Sequence, residues 1–142
     1  MKMKIDWDKV RFFKPSERWG SNHVSNEEAL LRVDPILVYS LDELRRRAGR
    51  PIILSNAVRN DKGTHGKGLA ADVVITGLDV IDQFLLAEKS GLFTGIGIYP
   101  FWNRPGLHLD VRPKSNKKSD PRWSRLSNGH YAGISSRLLR SI

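Results

Sequence analysis

Ionisable side chains interrupt two apolar segments of the chain. Asp72 lies within residues 69–75 (LAADVVI), and a carboxylate buried in such a run is costly unless it is paired or binds a metal. His108 and Asp110 alternate with apolar residues in 107–112 (LHLDVR). Because residues two apart on a strand project to the same face, these two side chains are expected to point together out of an apolar strand.

A third ionisable group precedes Asp72 by seven positions. His65 lies in the stretch 63–68 (GTHGKG), whose glycines allow the tight turns that fold a loop back over the start of a strand. The chain contains no cysteine, so imidazole and carboxylate groups must supply any metal ligands. Two histidines and one carboxylate with an open fourth position are the usual ligands of a catalytic zinc site, which predicts zinc at His65, Asp72 and His108.

Ordinary structural roles are the alternative for each of these residues taken singly. A histidine at a strand edge is more often a structural residue than a ligand, and Asp72 has Arg59 and Arg112 as candidate ion-pair partners. His23 and His130 lie outside the pattern and are interpreted as surface residues. The joint pattern of two interrupted strands and a glycine-rich loop favours the metal site.

Capping signals predict three helices around these segments. Ser25 with Glu28 three residues later has the form of a capping box, and Asp34 followed by Pro35 is typical of a second helix start. A third helix is expected over about 79–90, where apolar residues recur at helical spacing.

Short apolar runs predict four strands, at 51–55, 69–75, 95–99 and 107–112, and the last two are expected to pair as a hairpin. The predicted fold is therefore α+β, with a small, mainly antiparallel sheet of about four strands, helices on one side and the zinc at one end of the sheet. We interpret residues 1–142 as a single domain. It has an irregular N-terminal arm at 1–24 and a basic C-terminal segment at 113–142, which either docks through Trp123 or is partly disordered.

The net charge of +9 is the strongest signal in the composition. It favours a polyanionic partner such as nucleic acid or an anionic bacterial cell wall, and solubility is the alternative reason for it. The N-terminus lacks the apolar centre of a signal peptide, and no apolar run approaches the roughly 20 residues that span a bilayer. We therefore expect a chain that is made in the cytoplasm and does not associate with membranes. We also expect it to be a monomer.

Four motifs resemble the peptidase M15 family, the zinc D-alanyl-D-alanine carboxypeptidases and murein endopeptidases, which share a zinc fold with the hedgehog signalling domain. The motifs are SNAVR (55–59), HGKGLAADV (65–73), GIGIYP (95–100) and LHLDVR (107–112). The resemblance implies that His65, Asp72 and His108 are the zinc ligands. It also implies that Arg59 faces the substrate, where it polarises the scissile carbonyl or grips a carboxylate.

The catalytic base is the point at which this chain departs from the family. Pro105 stands where some members have an acidic residue, three positions before the last ligand. We interpret His108 as the ligand and Asp110 as the base or an orienting carboxylate. The reverse assignment, with Asp110 on the metal and His108 as the auxiliary group, is the alternative. Tyr99 and Trp102 flank the hairpin turn near the predicted site, and we assign Tyr99 to substrate binding; packing is the equal alternative.

The resemblance implies a zinc-dependent peptidase that cuts peptide bonds in bacterial peptidoglycan. The compact size and the missing signal peptide suit a phage-derived protein that reaches the cell wall after lysis or as part of a virion. The competing hypothesis is a non-catalytic module, stabilised by zinc, that binds nucleic acid or anionic cell-wall polymer through its basic surface.

Overall fold

The computed structural model describes residues 4–116 and 119–134 and is α+β. Parts of the predicted arm and basic segment, at 1–3, 117–118 and 135–142, lie outside the described residues. The helices are α1 (Asn26–Arg32), α2 (Pro35–Ala48) and α3 (Val80–Ser90), and a short 3-10 turn covers Trp7–Lys9. The strands are β1 (Ile52–Asn56), β2 (Ala70–Ile75), β3 (Gly95–Tyr99), β4 (Gly106–Asp110), β5 (Arg122–Arg125) and β6 (Tyr131–Gly133).

Local capping chemistry sets the ends of the helices. Ser25 Oγ accepts a hydrogen bond from the Glu28 N–H at the start of α1, and the side chains of Asp34 and Asp79 cap α2 and α3 in the same way. Helix α2 ends at Gly49, whose φ of 66° lies in the left-handed region that glycine adopts without strain. The three predicted helices are therefore confirmed.

The strands form one six-stranded sheet in the order β1-β2-β4-β3-β5-β6. All neighbouring pairs are antiparallel except β3 and β5, which are parallel. The predicted hairpin of β3 and β4 is confirmed, but the expected number of four strands is wrong, because β5 and β6 extend the sheet. The sequence of β5, RWSR, contains no apolar run, so its strand character comes from pairing with β3 rather than from a local pattern.

The apolar core lies between the helices and one face of the sheet. Strand residues such as Val73, Ile96 and Leu109 contribute to it together with Leu37 and Phe84 from the helices. Because strand side chains alternate, the neighbours of these strand residues point to the opposite face, which we call the open face. Within the described ranges, no helix combines the length and the apolar composition that crossing a membrane requires.

The N-terminal arm is anchored by aromatic side chains. Residues 4–24 contain the turn at Trp7–Lys9 and otherwise no helix or strand. Phe13 is 4% exposed and Trp19 is fully buried. The Trp19 indole Nε1 donates a hydrogen bond to the Lys14 carbonyl oxygen at 2.8 Å, which satisfies its polar atom inside the core.

Candidate metal centre

The sheet register brings two of the predicted ligands together on the open face. Asp72 of β2 lies directly opposite His108 of β4, and His108 lies opposite Gly97 of β3. Directly opposed residues on paired strands have neighbouring side chains. Strand pairing therefore joins two residues that are 36 positions apart in the sequence (108 minus 72).

His65 is carried by residues 57–69 between β1 and β2, which we call the histidine loop. The Asp61 carboxylate accepts hydrogen bonds from the N–H groups of Gly63 and Gly66, each at 2.9 Å. A Cβ at Gly66 would overlap the Asp61 carbonyl group, so this close approach requires glycine. These contacts fix the loop. Its residue His65 is buried, with 3% of its surface exposed.

Three ligand atoms converge at one point on the open face. The distance from His65 Nε2 to His108 Nδ1 is 3.2 Å, that from His65 Nε2 to Asp72 Oδ1 is 3.3 Å, and that from His108 Nδ1 to Asp72 Oδ1 is 3.7 Å. Zinc bonds of 2.0–2.1 Å in a tetrahedron place ligand atoms about 3.3 Å apart. Two of the three distances match this value and the third, at 3.7 Å, is slightly longer, so this buried group could hold a metal ion.

Hydrogen bonds on the far side of each histidine determine its tautomer. His65 Nδ1–H donates to the Ala57 carbonyl oxygen at 2.7 Å, and His108 Nε2–H donates to Asp110 Oδ2 at 2.7 Å. In the neutral form of each ring, the nitrogen that faces Asp72 Oδ1 is then the one with a free lone pair, as a metal ligand requires. A metal ion between these two nitrogens and Asp72 Oδ1 would contact all three at once.

The second oxygen of Asp72 is held from the opposite side. Asn56 Nδ2 and Arg59 Nη1 donate to Asp72 Oδ2 at 3.2 and 3.3 Å. Outer contacts of this kind orient a ligating carboxylate, and they leave Oδ1 directed at the histidines. Arg59 is 42% exposed along its side chain, so it contacts a ligand and also faces solvent.

Asp110 is fully buried behind His108. Its Oδ2 accepts from His108 Nε2 and Arg112 Nη2 at 2.7 and 2.6 Å, while its Oδ1 accepts from Gly95 N and from Arg112 N and Nε at 3.0, 3.2 and 3.0 Å. Burial by itself would raise the pKa of Asp110, but the hydrogen bonds from His108 and Arg112 outweigh it and hold this pKa well below its ordinary value. Asp110 is therefore ionised. It contacts Nε2 of the His108 ring, whereas the ligand atom is Nδ1 of the same ring.

Two grooves border the edge of the metal centre, at Asp72 and at its partner Arg59. One groove of about 430 Å³ borders Asp72 and Arg59 and is walled by Trp102 and Arg104. Another of about 370 Å³ lies on the other side of Arg59 and includes Arg18. Both volumes lie in the range of small-molecule and peptide sites.

Tyr99 lies in a neighbouring pocket rather than in these grooves. It stacks on Trp102 with ring centroids 4.4 Å apart, and both residues line a pocket of about 340 Å³ with Phe101 and Arg125. Of the two residues predicted to bind substrate, Arg59 lies beside the metal centre. Tyr99 lines the adjoining pocket, and its hydroxyl oxygen accepts from Trp123 Nε1 at 3.3 Å.

Sequence reasoning missed two features of the centre. Trp123 of β5 packs its ring 5.0 Å from the His108 ring, centroid to centroid. Gly95 is required beneath Asp110, since a Cβ there would overlap the Asp110 carboxylate. A signal for both was present in GIGIY, where two glycines alternate on one face of a strand and mark the close approach of other groups.

Comparison of the chain with protein-family models, with curated proteins and with solved structures gave no match.

Proposed function

We propose that this protein is a zinc-dependent peptidase that hydrolyses peptide bonds of bacterial peptidoglycan, with His65, Asp72 and His108 as the metal ligands. The observation that carries the proposal is the convergence of three buried acceptor atoms, two of them on imidazole rings whose other nitrogen is already committed as a donor. We also propose that the domain has the zinc fold shared by the D-alanyl-D-alanine peptidases and the hedgehog domain, with a role at the cell wall after lysis or in a virion.

Zinc held by this ligand set would supply a Lewis acid and lower the pKa of water towards about 7, which is the chemistry that amide hydrolysis needs. The residues of the chain provide the surroundings. Arg59 directs Nη1 at Asp72 and Nε at Asp61 Oδ2, 3.6 Å away, and it is exposed enough to offer its remaining N–H groups to a carbonyl oxygen in the groove. Such a donor, aimed at developing negative charge, is worth about 3 kcal/mol in transition-state stabilisation.

For Asp110 we propose the orienting role and not that of base. Its two oxygens together accept five N–H groups and its pKa is low, both of which oppose proton uptake near neutral pH. A carboxylate that accepts from the far nitrogen of a metal-ligating histidine fixes the ring and increases its basicity. The same contacts favour His108 over Asp110 as the third ligand.

The enclosure of Asp110 also favours a second candidate function. If no base serves the centre, zinc would only stabilise a module that binds nucleic acid or cell-wall polymer through its charge of +9. The exposed arginines of the grooves, Arg18 and Arg104, are the side chains that would contact such a polyanion.

Metal content and hydrolysis of purified peptidoglycan test the first proposal together. We expect near-stoichiometric zinc and release of new amino groups, both lost in His65→Ala and after chelation. His130→Ala is the matched control, because this histidine is exposed and outside the centre, and it should behave as the wild type. No zinc in the wild type after reconstitution would refute the metal centre. Bound zinc without hydrolysis, with binding to DNA that falls steeply as salt rises, would refute the peptidase and support the module.

A further inference from the structure

Trp123 extends the row of residues that forms the metal centre. Asp72, His108 and Gly97 face one another across β2, β4 and β3, and Gly97 lies opposite Trp123 of β5. A Cβ at position 97 would lie 2.5 Å from the indole atoms Nε1 and Cε2. The missing side chain of Gly97 therefore allows the indole to lie across β3 and reach His108.

The indole takes part in a closed set of contacts around His108. The rings of Trp123 and His108 are 5.0 Å apart at an interplanar angle of 52°. The Arg112 guanidinium lies 5.6 Å from the indole centroid and donates to Asp110, which accepts from His108. At its polar end, Trp123 Nε1 donates to the Tyr99 hydroxyl oxygen at 3.3 Å, which adds a polar contact to the packing of the indole against Gly97 and His108.

A single hydrogen bond does not determine the orientation of an imidazole ring. The bond from His108 Nε2 to Asp110 selects the tautomer, but Nε2 lies close to the axis of the Cβ–Cγ bond, so this contact restrains rotation of the ring about that bond only weakly. Rotation would swing Nδ1 away from Asp72 and His65. A large aromatic ring packed against His108 blocks that rotation and excludes water from the β5 side of the centre.

We propose that Trp123 is a positioning residue for the metal ligand His108, so that β5 completes the metal centre although it supplies no ligand. The inference rests on the metal centre of the proposed function but not on peptidase activity. Each measurement below is therefore made without substrate.

The first test needs no variant. In the wild-type chain, NMR should show nuclear Overhauser contacts between the Trp123 indole protons and the His108 ring protons, with and without zinc. Absence of these contacts in both forms would overturn the proposal, whatever the chain hydrolyses.

The second test measures zinc affinity by competition with a chelator. Trp123→Ala should weaken zinc binding by roughly tenfold, the size of effect typical of outer contacts of a metal ligand. It should also change the absorption spectrum of the cobalt-substituted protein, because the orientation of His108 relaxes. Trp123→Phe keeps an aromatic face and should restore most of the affinity. Phe12→Ala removes an exposed aromatic residue of the N-terminal arm, whose ring lies against Arg45 of α2, and is the matched control.

Gly97→Ala probes the same contact from the other side. Its methyl group displaces the indole without removing it, so zinc affinity should fall here too, even if Trp123→Ala does not fold. Unchanged affinity and an unchanged cobalt spectrum in the folded variants would overturn the proposal. A wild-type chain that binds no zinc would refute the metal centre itself, whereas one that binds zinc and hydrolyses nothing would refute only the peptidase.

Discussion

Replacing Asp110 by asparagine separates its orienting role from the role of metal ligand. The substitution keeps the shape of the side chain but turns one acceptor oxygen into an NH₂ donor. His108→Ala is the companion variant, which removes the ligand atom that the structure directs at Asp72 and His65.

The contacts of Asp110 determine the size of the effect. Oδ2 accepts two N–H groups, from His108 and Arg112, and Oδ1 accepts three, from Gly95 and Arg112. Whichever oxygen becomes the NH₂ group, at least two donors lose their acceptor. An unsatisfied buried donor costs about 1–3 kcal/mol, and Arg112 recovers part of this from water because its side chain is 34% exposed. We therefore expect Asp110→Asn to lower the free energy of unfolding of the metal-free protein by about 3 kcal/mol.

Zinc affinity is the second quantity affected. Loss of the carboxylate behind His108 should weaken zinc binding by roughly 10- to 100-fold, equivalent to about 1.4–2.8 kcal/mol. His108→Ala should abolish stoichiometric binding, because the ligand itself is lost. Urea unfolding with a chelator gives the stability change, and a chelator competition assay gives the affinity.

The opposite pattern would refute this reasoning. If His108→Ala retained zinc while Asp110→Asn lost it, Asp110 would be the ligand and His108 the auxiliary group. If Asp110→Asn changed neither stability nor affinity, the buried hydrogen bonds of Asp110 would not support the centre at all.

The remaining predictions concern the surroundings of the centre. Gly95→Ala should lower the free energy of unfolding by about 2 kcal/mol and weaken zinc binding, because its methyl group overlaps the Asp110 carboxylate. Urea unfolding and zinc titration measure the two effects. Stability and zinc affinity both equal to those of the wild type would contradict the prediction. Hydrogen bonds from Arg122 hold the pKa of Glu88 below its ordinary value of 4.5, so their stabilisation is complete above that pH and is lost as the pH falls. Between neutral pH and about pH 3, the free energy of unfolding of the wild type should fall by up to about 1 kcal/mol more than that of Glu88→Gln. Urea unfolding with a chelator measures both proteins, and parallel pH curves would exclude this contribution. Asp61→Asn should speed amide hydrogen exchange in the histidine loop, because Asp61 accepts two of its N–H groups; exchange unchanged from the wild type would show that other contacts fix the loop.

Local chemistry accounts for the parts of the fold that the sequence predicts. The helix starts at Ser25, Asp34 and Asp79 depend on a side chain and an N–H group two or three residues apart, so they can be identified without the fold. Strands β1–β4 coincide with short segments in which apolar residues are continuous or alternate, and such patterns are also visible without the fold. The ligand types were also evident, since an ionisable residue such as Asp72 in an apolar run needs a partner.

The parts of the fold and of the site that the sequence does not predict depend on contacts between residues far apart in the sequence. The pairing of β5 with β3 places Trp123 over Gly97, and no spacing within RWSR indicates a parallel neighbour 26 residues earlier (123 minus 97). Likewise, HLDVR suggested that His108 and Asp110 share a face, but only the hydrogen bonds show which histidine nitrogen each neighbour contacts. The place of Tyr99 beside the turn predicts a role in substrate binding, but its contacts with Trp102 and Trp123 follow only from the pairing of the strands.

The apolar core and the metal centre lie on opposite faces of one sheet. Leu107 and Leu109 are the chain neighbours of His108, yet they pack into the core on the helix side. Small domains that depend on zinc for folding lack such a separate apolar layer and unfold when the metal is withdrawn. Here the apolar layer is complete without the metal centre, so the metal-free chain should keep its fold, and a metal ion added to it should bind without refolding.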